Sequence, residues 1–263
     1  MIGAVIGDVV GSRFEFNNHR SKEFELFTKE CEATDDSIMT IAIAKAVLES
    51  KKKQSNLSKE AVRCMQEIGR RYPRCGYGSR FLEWMFSENP QPYNSFGNGA
   101  AMRVSSCGFA AETLQEALKM SDEVTAVTHN HPEGIKGARA TTAAIFLART
   151  GMPKSTIKEH IEKEYGYRFD FTIDEIRSTY QFNETCQETV PQALEAFFES
   201  TSFEDTLRTA ISVGGDSDTL AAIACSIAEA YYGVPKELYE EAVSYLDNQL
   251  ITILKEFEIE YRG

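Results

Sequence analysis

The apolar residues of this chain recur at helical spacing over most of its length. In segments 37–50 and 217–232 they fall at the i, i+3, i+4 and i+7 positions of a helix. Both segments are apolar on nearly every side, which predicts two central buried helices. Further amphipathic helices are predicted near 58–71, 113–127, 140–149, 155–165, 188–200, 202–212 and 236–257.

No segment has the alternating pattern of a convincing β-strand. Segment 2–10 is ambiguous, because a glycine at every fourth position fits a closely packed helix as well as a strand. Segment 51–54, which contains three lysines, is predicted to be a solvated loop. No linker or repeat divides the chain, so the sequence predicts a single all-α domain spanning residues 1–263.

The acidic composition narrows the possible partners. The chain has 263 residues, a formal net charge of −12 and a pI of about 5.0. A surface of this charge repels nucleic acid and anionic membranes, so neither is an expected partner. None of the six cysteines forms a CxxC pair, which indicates free thiols rather than a disulfide framework. The first residues lack a basic signal region, and no apolar run could span a membrane, so we expect a cytoplasmic protein.

Each of the two central helices begins at a cluster of aspartates. Capping explains one such cluster well, because side-chain oxygens accept from the free N–H groups of a first helical turn. Capping needs one acceptor, however, whereas each cluster supplies two carboxylates and a threonine hydroxyl. If the two helix starts face each other, mutual repulsion raises the pKa values of the carboxylates sharply unless cations compensate. All-oxygen ligation favours Mg²⁺, Mn²⁺ or Ca²⁺ over zinc. The clusters are Thr34-Asp35-Asp36-Ser37 and Gly214-Gly215-Asp216-Ser217-Asp218-Thr219.

Three other stretches contain residues that could take part in catalysis, phosphate binding or metal binding. Glu15 follows a glycine-bearing segment, and a lone glutamate in this position is more often a surface residue. Segment 95–103 is a glycine-bearing loop that enters an alanine-rich helix, which suits either phosphate binding or an ordinary turn. His129 and His131 share one short loop, where they are either metal ligands or hydrogen-bonded loop residues.

In this order, these stretches resemble the ADP-ribosylglycohydrolase family, whose founding member reactivates dinitrogenase reductase. The resemblance covers most of the chain, and the five motifs together are more specific than any one of them. The matching stretches are Gly7-Asp8-x-x-Gly11 with Glu15, Thr34-Asp35-Asp36, Gly97-Asn98-Gly99-x-Ala101-Met102-Arg103, Thr128-His129, and Gly214-Gly215-Asp216-Ser217-Asp218-Thr219.

The resemblance implies a compact, multi-helix orthogonal bundle around a dinuclear Mg²⁺ or Mn²⁺ site. The implied catalytic residues are Glu15 and Asp36. The resemblance implies no role for His131. The implied metal ligands are Thr34, Asp35, Asp36, Asp216, Asp218 and Thr219. The implied substrate-binding residues are Ser95, Phe96, Gly97, Asn98, Gly99, Met102 and His129.

The implied reaction is removal of ADP-ribose from a modified protein side chain, either arginine or serine. The glycosidic bond at C1″ would break through an oxocarbenium-like transition state, with the two ions holding the ribose and a water. Glu15 or Asp36 would manage the proton. The expected partner is an ADP-ribosylated protein or small molecule, and the chain is expected to be a monomer.

Three alternatives remain open at the level of sequence. The acceptor could be a non-protein molecule, or the chain could be a catalytically silent ADP-ribose-binding or structural relative. A dinuclear carboxylate site also suits hydrolysis of phosphate esters, which would release phosphate or AMP instead of ADP-ribose. Segment 16–31, which follows Glu15, maps onto no known acceptor preference.

Overall fold

The computed structural model describes the backbone of residues 1–262 and the side chains of residues 1–261, and it confirms the all-α class. Within this range there is no β-strand, only an isolated bridge between Gly97 and Thr185. A short 3-10 helix covers Ser12–Phe14. The α-helices are α1 Ile2–Gly11, α2 Asp35–Lys53, α3 Leu57–Gly69, α4 Ser79–Phe86, α5 Gly99–Met102, α6 Ser105–Ala110, α7 Leu114–Thr125, α8 Pro132–Arg149, α9 Lys154–Tyr165, α10 Ile173–Ile176, α11 Cys186–Glu199, α12 Phe203–Ser212, α13 Ser217–Tyr232, α14 Lys236–Val243 and α15 Asn248–Arg262.

The ambiguous N-terminal segment is a helix, α1, that packs directly against α13. All ten of its residues are buried. A Cβ atom on Gly7 would lie 2.3 Å from the carbonyl carbon of Ala221, and one on Gly11 would lie 2.5 Å from the Cα of Asp218. Glycine therefore permits a backbone-to-backbone approach that no other residue allows. The two helices run antiparallel, so the end of α1 lies beside the start of α13.

The two helices predicted to be central are buried as expected. In α13 every residue from Ser217 to Glu229 is buried, and in α2 so is nearly every residue from Asp36 to Val47. The end of α1 contacts both starts, since Asp8 accepts from the Thr34 N–H and Gly11 lies against Asp218, so the two aspartate clusters and α1 meet in the interior of the protein.

Two local predictions are wrong. Segment 236–257 was predicted as one helix, but it divides into α14 and α15. Asp247 begins the second helix, since its carboxylate accepts from the backbone N–H of Gln249 at 2.9 Å and of Leu250 at 3.0 Å. The lysines of segment 51–54 form the last turn of α2 rather than a loop. Their positive charges interact favourably with the negative end of the helix dipole there.

Helix α8 is longer than the predicted segment 140–149 because it begins at Pro132. Proline is well suited to a first helical turn, and the Nδ1 of His131 accepts from the N–H of Glu133 at 3.1 Å, which caps the helix. All six cysteines are free, as predicted. Within residues 1–262, no helix is both long enough and apolar enough to cross a bilayer.

Candidate active site

The start of α2 is capped from another helix. Asp8 of α1 accepts from the backbone N–H groups of Thr34 at 2.9 Å and Ser37 at 3.0 Å, and from the Thr34 hydroxyl. Thr34 occupies the capping position, but its side chain makes no capping hydrogen bond. Capping therefore does not account for the neighbouring carboxylates of Asp35 and Asp36.

The start of α13 is arranged in a similar way. Asp216 occupies the capping position without a capping hydrogen bond, and its Oδ2 accepts instead from the Asn98 side-chain amide at 2.7 Å. Gly214 and Gly215 precede it in left-handed conformations, with φ of 77° and 70°. This turn, which glycine adopts without strain, places Asp216 opposite the glycine-bearing loop.

The two aspartate clusters converge in space. The Thr219 hydroxyl donates to Asp36 Oδ2 at 3.0 Å, which links the start of α13 to the start of α2. Two groups of carboxylates each place one oxygen per residue within 4.8 Å of the others, and Asp218 belongs to both. We call them the inner group, Asp8, Asp36 and Asp218, and the outer group, Glu15, Asp216 and Asp218.

Burial and mutual repulsion disfavour the charged forms of these carboxylates. Burial raises the pKa of Asp8 to about 6, although its hydrogen bonds from Ser37 and Thr34 oppose the change. Burial, followed by the charge of Asp216, raises the pKa of Glu15 to about 7. The pKa of Asp218 lies well above its ordinary value for the same two kinds of reason. The cluster therefore holds more negative charge than the protein itself neutralises.

The donor set fits divalent cations with oxygen ligands. Asp36 Oδ1 is buried and has no hydrogen-bond partner among the described residues, which is costly for a carboxylate unless a cation contacts it. Carboxylate and hydroxyl oxygens without cysteine or histidine suit Mg²⁺ or Mn²⁺. Of the other predicted ligands, Asp35 lines the adjacent pocket outside both groups, and the Thr34 hydroxyl donates to Asp8.

The pocket beside the carboxylates has a basic wall that the sequence did not reveal. The buried Arg103 guanidinium donates to the Thr128 hydroxyl at 2.5 Å and contacts His129 Nδ1 at 3.3 Å, and its Nε has no partner among the described residues. Arg80 and Tyr93 complete this wall, with the guanidinium carbon of Arg80 lying 4.9 Å from the centre of the Tyr93 ring. Positive charge and hydrogen-bond donors therefore face the carboxylates.

His129 presents a hydrogen-bond donor to the pocket. Burial, followed by the charge of Arg103, holds the pKa of His129 well below its ordinary value, so the ring is neutral. Because arginine only donates, Nδ1 accepts from Arg103 and the remaining proton lies on Nε2. A Cβ atom on Gly99 would lie 3.4 Å from that Nε2, which places the donor directly against the glycine-bearing loop.

Most of the predicted substrate-binding residues line this pocket. Phe96 does not: its ring is 43% exposed and packs against His131 with ring centres 5.1 Å apart. The Phe96 carbonyl accepts from the Cys186 N–H, so its backbone is fixed to the start of α11. The predicted residues that do line the pocket are Ser95, Gly97, Asn98, Gly99, Met102 and His129.

Several site residues were missed from the sequence. Asp8 and Arg103 lie within the recognised motifs, but nothing in their spacing indicates a cap for a distant helix or a buried guanidinium. Arg80, Tyr93 and Glu184 lie outside every motif. No pattern in the sequence could have indicated these three.

The metal-free protein is expected to become more stable as the pH falls from 7 to 5. The native pKa values of Asp8, about 6, and Glu15, about 7, exceed their ordinary values of 3.8 and 4.5. The native state therefore binds more protons than the unfolded state between about pH 4 and 7, so the free energy of unfolding falls as pH rises through this window. Urea unfolding in the presence of chelator at pH 5, 6 and 7 measures the effect.

The Glu15→Gln variant serves as the control for this pH dependence. It lacks one of the titrating groups, so its unfolding free energy should depend less steeply on pH. An identical slope in the variant and the wild type would contradict the assignment.

Comparison with known proteins identifies a family over almost the whole chain. The profile of the family described as ADP-ribosylglycohydrolase matches residues 1–258. The human ADP-ribosylhydrolase ARH3 is 27% identical over 333 aligned residues, covering 95% of this chain and 90% of its own. The ADP-ribosyl-[dinitrogen reductase] glycohydrolase of Rhodospirillum rubrum is 24% identical, covering 89% and 84%.

A solved structure shares the fold. It is described as an ADP-ribosylglycohydrolase-related protein complex, and it superimposes with a TM-score of 0.73 over 99% of this chain and 95% of that one. Its sequence identity is 21%, so the likeness concerns the all-α fold.

Proposed function

The chain belongs to the ADP-ribosylglycohydrolase family, and from this premise we propose that it is a metal-dependent glycosidase that removes ADP-ribose from a modified protein side chain, arginine or serine. The observation that carries the proposal is the convergence of two helix starts whose carboxylates do not serve as caps. Structural caps would not require two groups of carboxylates that share Asp218.

Two divalent cations, Mg²⁺ or Mn²⁺, are the proposed cofactors. The inner and outer groups would each hold one ion, with Thr34, Asp35 and Thr219 as the further predicted ligands. When bound, such ions neutralise the carboxylates and lower the pKa of water so that a nucleophile forms near neutral pH.

The basic wall, which faces the carboxylates across the pocket, would hold the diphosphate of ADP-ribose. The Arg103 guanidinium and the Nε2–H of His129 would supply charge and a donor to the phosphate oxygens. Gly97 and Gly99 carry no side chain that would narrow this side of the pocket, although the N–H of Gly97 already donates to Ser95 Oγ. The Asn98 side-chain amide donates a hydrogen bond to the Asp216 carboxylate, which fixes the distance between the glycine-bearing loop and the outer group. Anchoring the diphosphate would therefore place the distal ribose beside the carboxylates.

Glu15 is the proposed general acid or base, with Asp36 as the other catalytic carboxylate. Glu15 is half-buried at the pocket wall, and its pKa of about 7 allows it to gain and lose a proton near neutral pH. It would take a proton from the attacking water or deliver one to the departing acceptor as the C1″ bond breaks.

The Glu15→Gln variant is expected to lose about 10²-fold in kcat, since a general acid or base contributes at least that factor. Its affinity for ADP-ribose should change little, because the substitution leaves the basic wall that would bind the diphosphate intact. Initial rates and calorimetric titration with ADP-ribose measure the two quantities. A variant that loses affinity but keeps kcat would place Glu15 in binding instead.

The reaction itself is tested with arginine-linked and serine-linked ADP-ribosyl peptides, incubated separately with Mg²⁺ or Mn²⁺. Release of free ADP-ribose that chelator abolishes would support the proposal and identify the acceptor. Release of AMP or phosphate would indicate a phosphoesterase. Binding of ADP-ribose without release from either peptide would indicate a different acceptor or a silent relative, and the absence of both binding and release would contradict the proposal.

A further inference from the structure

Asn18 lies in a segment to which the sequence assigned no function, and its side chain joins two loops of the site. Its Oδ1 accepts from the backbone N–H of Gly215 at 2.8 Å. Its Nδ2 lies 2.8 Å from the Gly215 carbonyl oxygen and 2.9 Å from the carbonyl oxygens of both Phe14 and Glu15. One carboxamide thus contacts the loop that carries Glu15 and the loop that leads into Asp216.

The two loops that Asn18 joins carry carboxylates that repel each other. Glu15 and Asp216 belong to the outer group, whose oxygens lie within 4.8 Å of one another, and the charge of Asp216 raises the pKa of Glu15. A neutral side chain that binds both backbones holds the carboxylates together without adding charge. Asn18 meets this requirement.

The chemistry of the contact favours asparagine over similar residues. The contact needs one acceptor, for the Gly215 N–H, and one donor group directed at carbonyl oxygens. A carboxamide supplies both, whereas aspartate would direct a second acceptor at those carbonyls. Glutamine would be one methylene too long for the same geometry.

The rest of the segment is anchored independently of Asn18. The Arg20 guanidinium donates to the carbonyl oxygens of Val213 at 2.8 Å and Tyr180 at 2.6 Å. Arg20 also lies so close to Gly214 that a Cβ atom there would be 2.9 Å from its Cζ. Asn18 itself is exposed, so its truncation leaves no buried cavity and keeps this second anchor.

We infer that Asn18 is a positioning residue, which fixes the Glu15 carboxylate beside Asp216 and affects turnover through Glu15. The inference rests on the proposed function and adds to it the residue that sets the geometry of the proton-transferring group. It assigns no contact between Asn18 and substrate.

The test is a double-mutant cycle with Asn18→Ala, Glu15→Gln and the combined variant. Asn18→Ala is expected to lower kcat about 10- to 10²-fold, which is the size of effect that misplacement of a reacting group by about 1 Å produces. In the Glu15→Gln background it should change kcat less than about twofold, because the group it positions is already absent. KM and the affinity for ADP-ribose should stay within about threefold of wild type.

A second measurement does not depend on activity. The Gly215 amide donates to Asn18 in the native protein, so its hydrogen exchange should be faster in metal-free Asn18→Ala than in wild type. Asn17→Ala is the matched control, because Asn17 is an exposed neighbour that makes no side-chain hydrogen bond among the described residues. It should change neither kcat nor the exchange of Gly215.

The outcomes separate this inference from the proposed function. Equal losses of kcat in both backgrounds, or a loss of ADP-ribose affinity and thermal stability parallel to that of kcat, would overturn the positioning role alone. Unchanged exchange at Gly215 would also overturn it. A wild-type protein that releases ADP-ribose from no substrate would overturn the proposed function and this inference with it.

Discussion

Replacing Asp218 with asparagine is expected to abolish hydrolase activity and to stabilise the metal-free protein at the same time. Asp218 belongs to both carboxylate groups, so its loss would remove a ligand from each proposed ion. Metal ions contribute several kcal/mol of transition-state stabilisation, which corresponds to a fall in kcat/KM of about 10³-fold or more. Initial rates with whichever of the two ADP-ribosyl peptides the wild type cleaves measure this loss.

The gain in stability follows from the environment of the same side chain. Burial, followed by the charges of Asp216 and Asp36, raises the pKa of Asp218 well above its ordinary value, so its ionised form destabilises the fold at neutral pH. Removing the charge should therefore raise the Tm measured in chelator at pH 7. The increase in Tm that Mn²⁺ produces in the wild type should be absent from the variant.

Asp170→Asn is the control for these measurements, since Asp170 is exposed and lies outside the site. It should leave activity and the effect of Mn²⁺ on Tm as they are in the wild type. If Asp218→Asn responds to Mn²⁺ as strongly as the wild type does, the two groups are not the metal ligands.

Replacing Gly7 with alanine is expected to prevent the chain from reaching its native fold. The new Cβ atom would lie 2.3 Å from both the carbonyl carbon and the carbonyl oxygen of Ala221, and 2.5 Å from the backbone nitrogen of Ala222. These are backbone atoms of a buried helix, so they have no rotamer through which to move away. Overpacking of this kind costs about 3 kcal/mol or more.

The effect of Gly7→Ala is measured as soluble yield and as the midpoint of urea unfolding. Gly78→Ala is the matched control, because a Cβ atom at Gly78 meets no atom within 4 Å. The control should unfold within about 1 kcal/mol of the wild type. A Gly7→Ala protein with the wild-type midpoint would contradict the close approach of α1 and α13.

Much of the fold follows from local sequence because helices dominate it. The buried stripes of α2 and α13 are continuous, and periodicity identified both helices to within a few residues. The aspartate clusters were recognisable for a related reason: each supplies more carboxylates than a helix start requires. The number of carboxylates at each helix start, rather than any single residue, indicated the site.

The rest depends on contacts between distant residues. Asp8 is one acid in an apolar helix, and it becomes part of the site through residues far along the chain: it accepts from Thr34 and Ser37 and lies in the inner group beside Asp218. Arg103 is held in the site by contacts with Thr128 and His129, which come from another loop. The break at Asp247 escaped detection because a side-chain cap, and not glycine or proline, begins the second helix. Spacing along the chain carries no information about such partners.

The antiparallel pairing of α1 with α13 also determines the order in which the protein can assemble. In synthesis from the N-terminus, α1 leaves the ribosome about 200 residues before its partner, which corresponds to roughly 10 to 40 s at ordinary elongation rates. Throughout that interval α2 can already contact this apolar helix, but the face of α1 that packs against α13 in the native state lacks its partner. The nascent chain therefore exposes this apolar face until α13 has been synthesised, and during that time the face is available for aggregation.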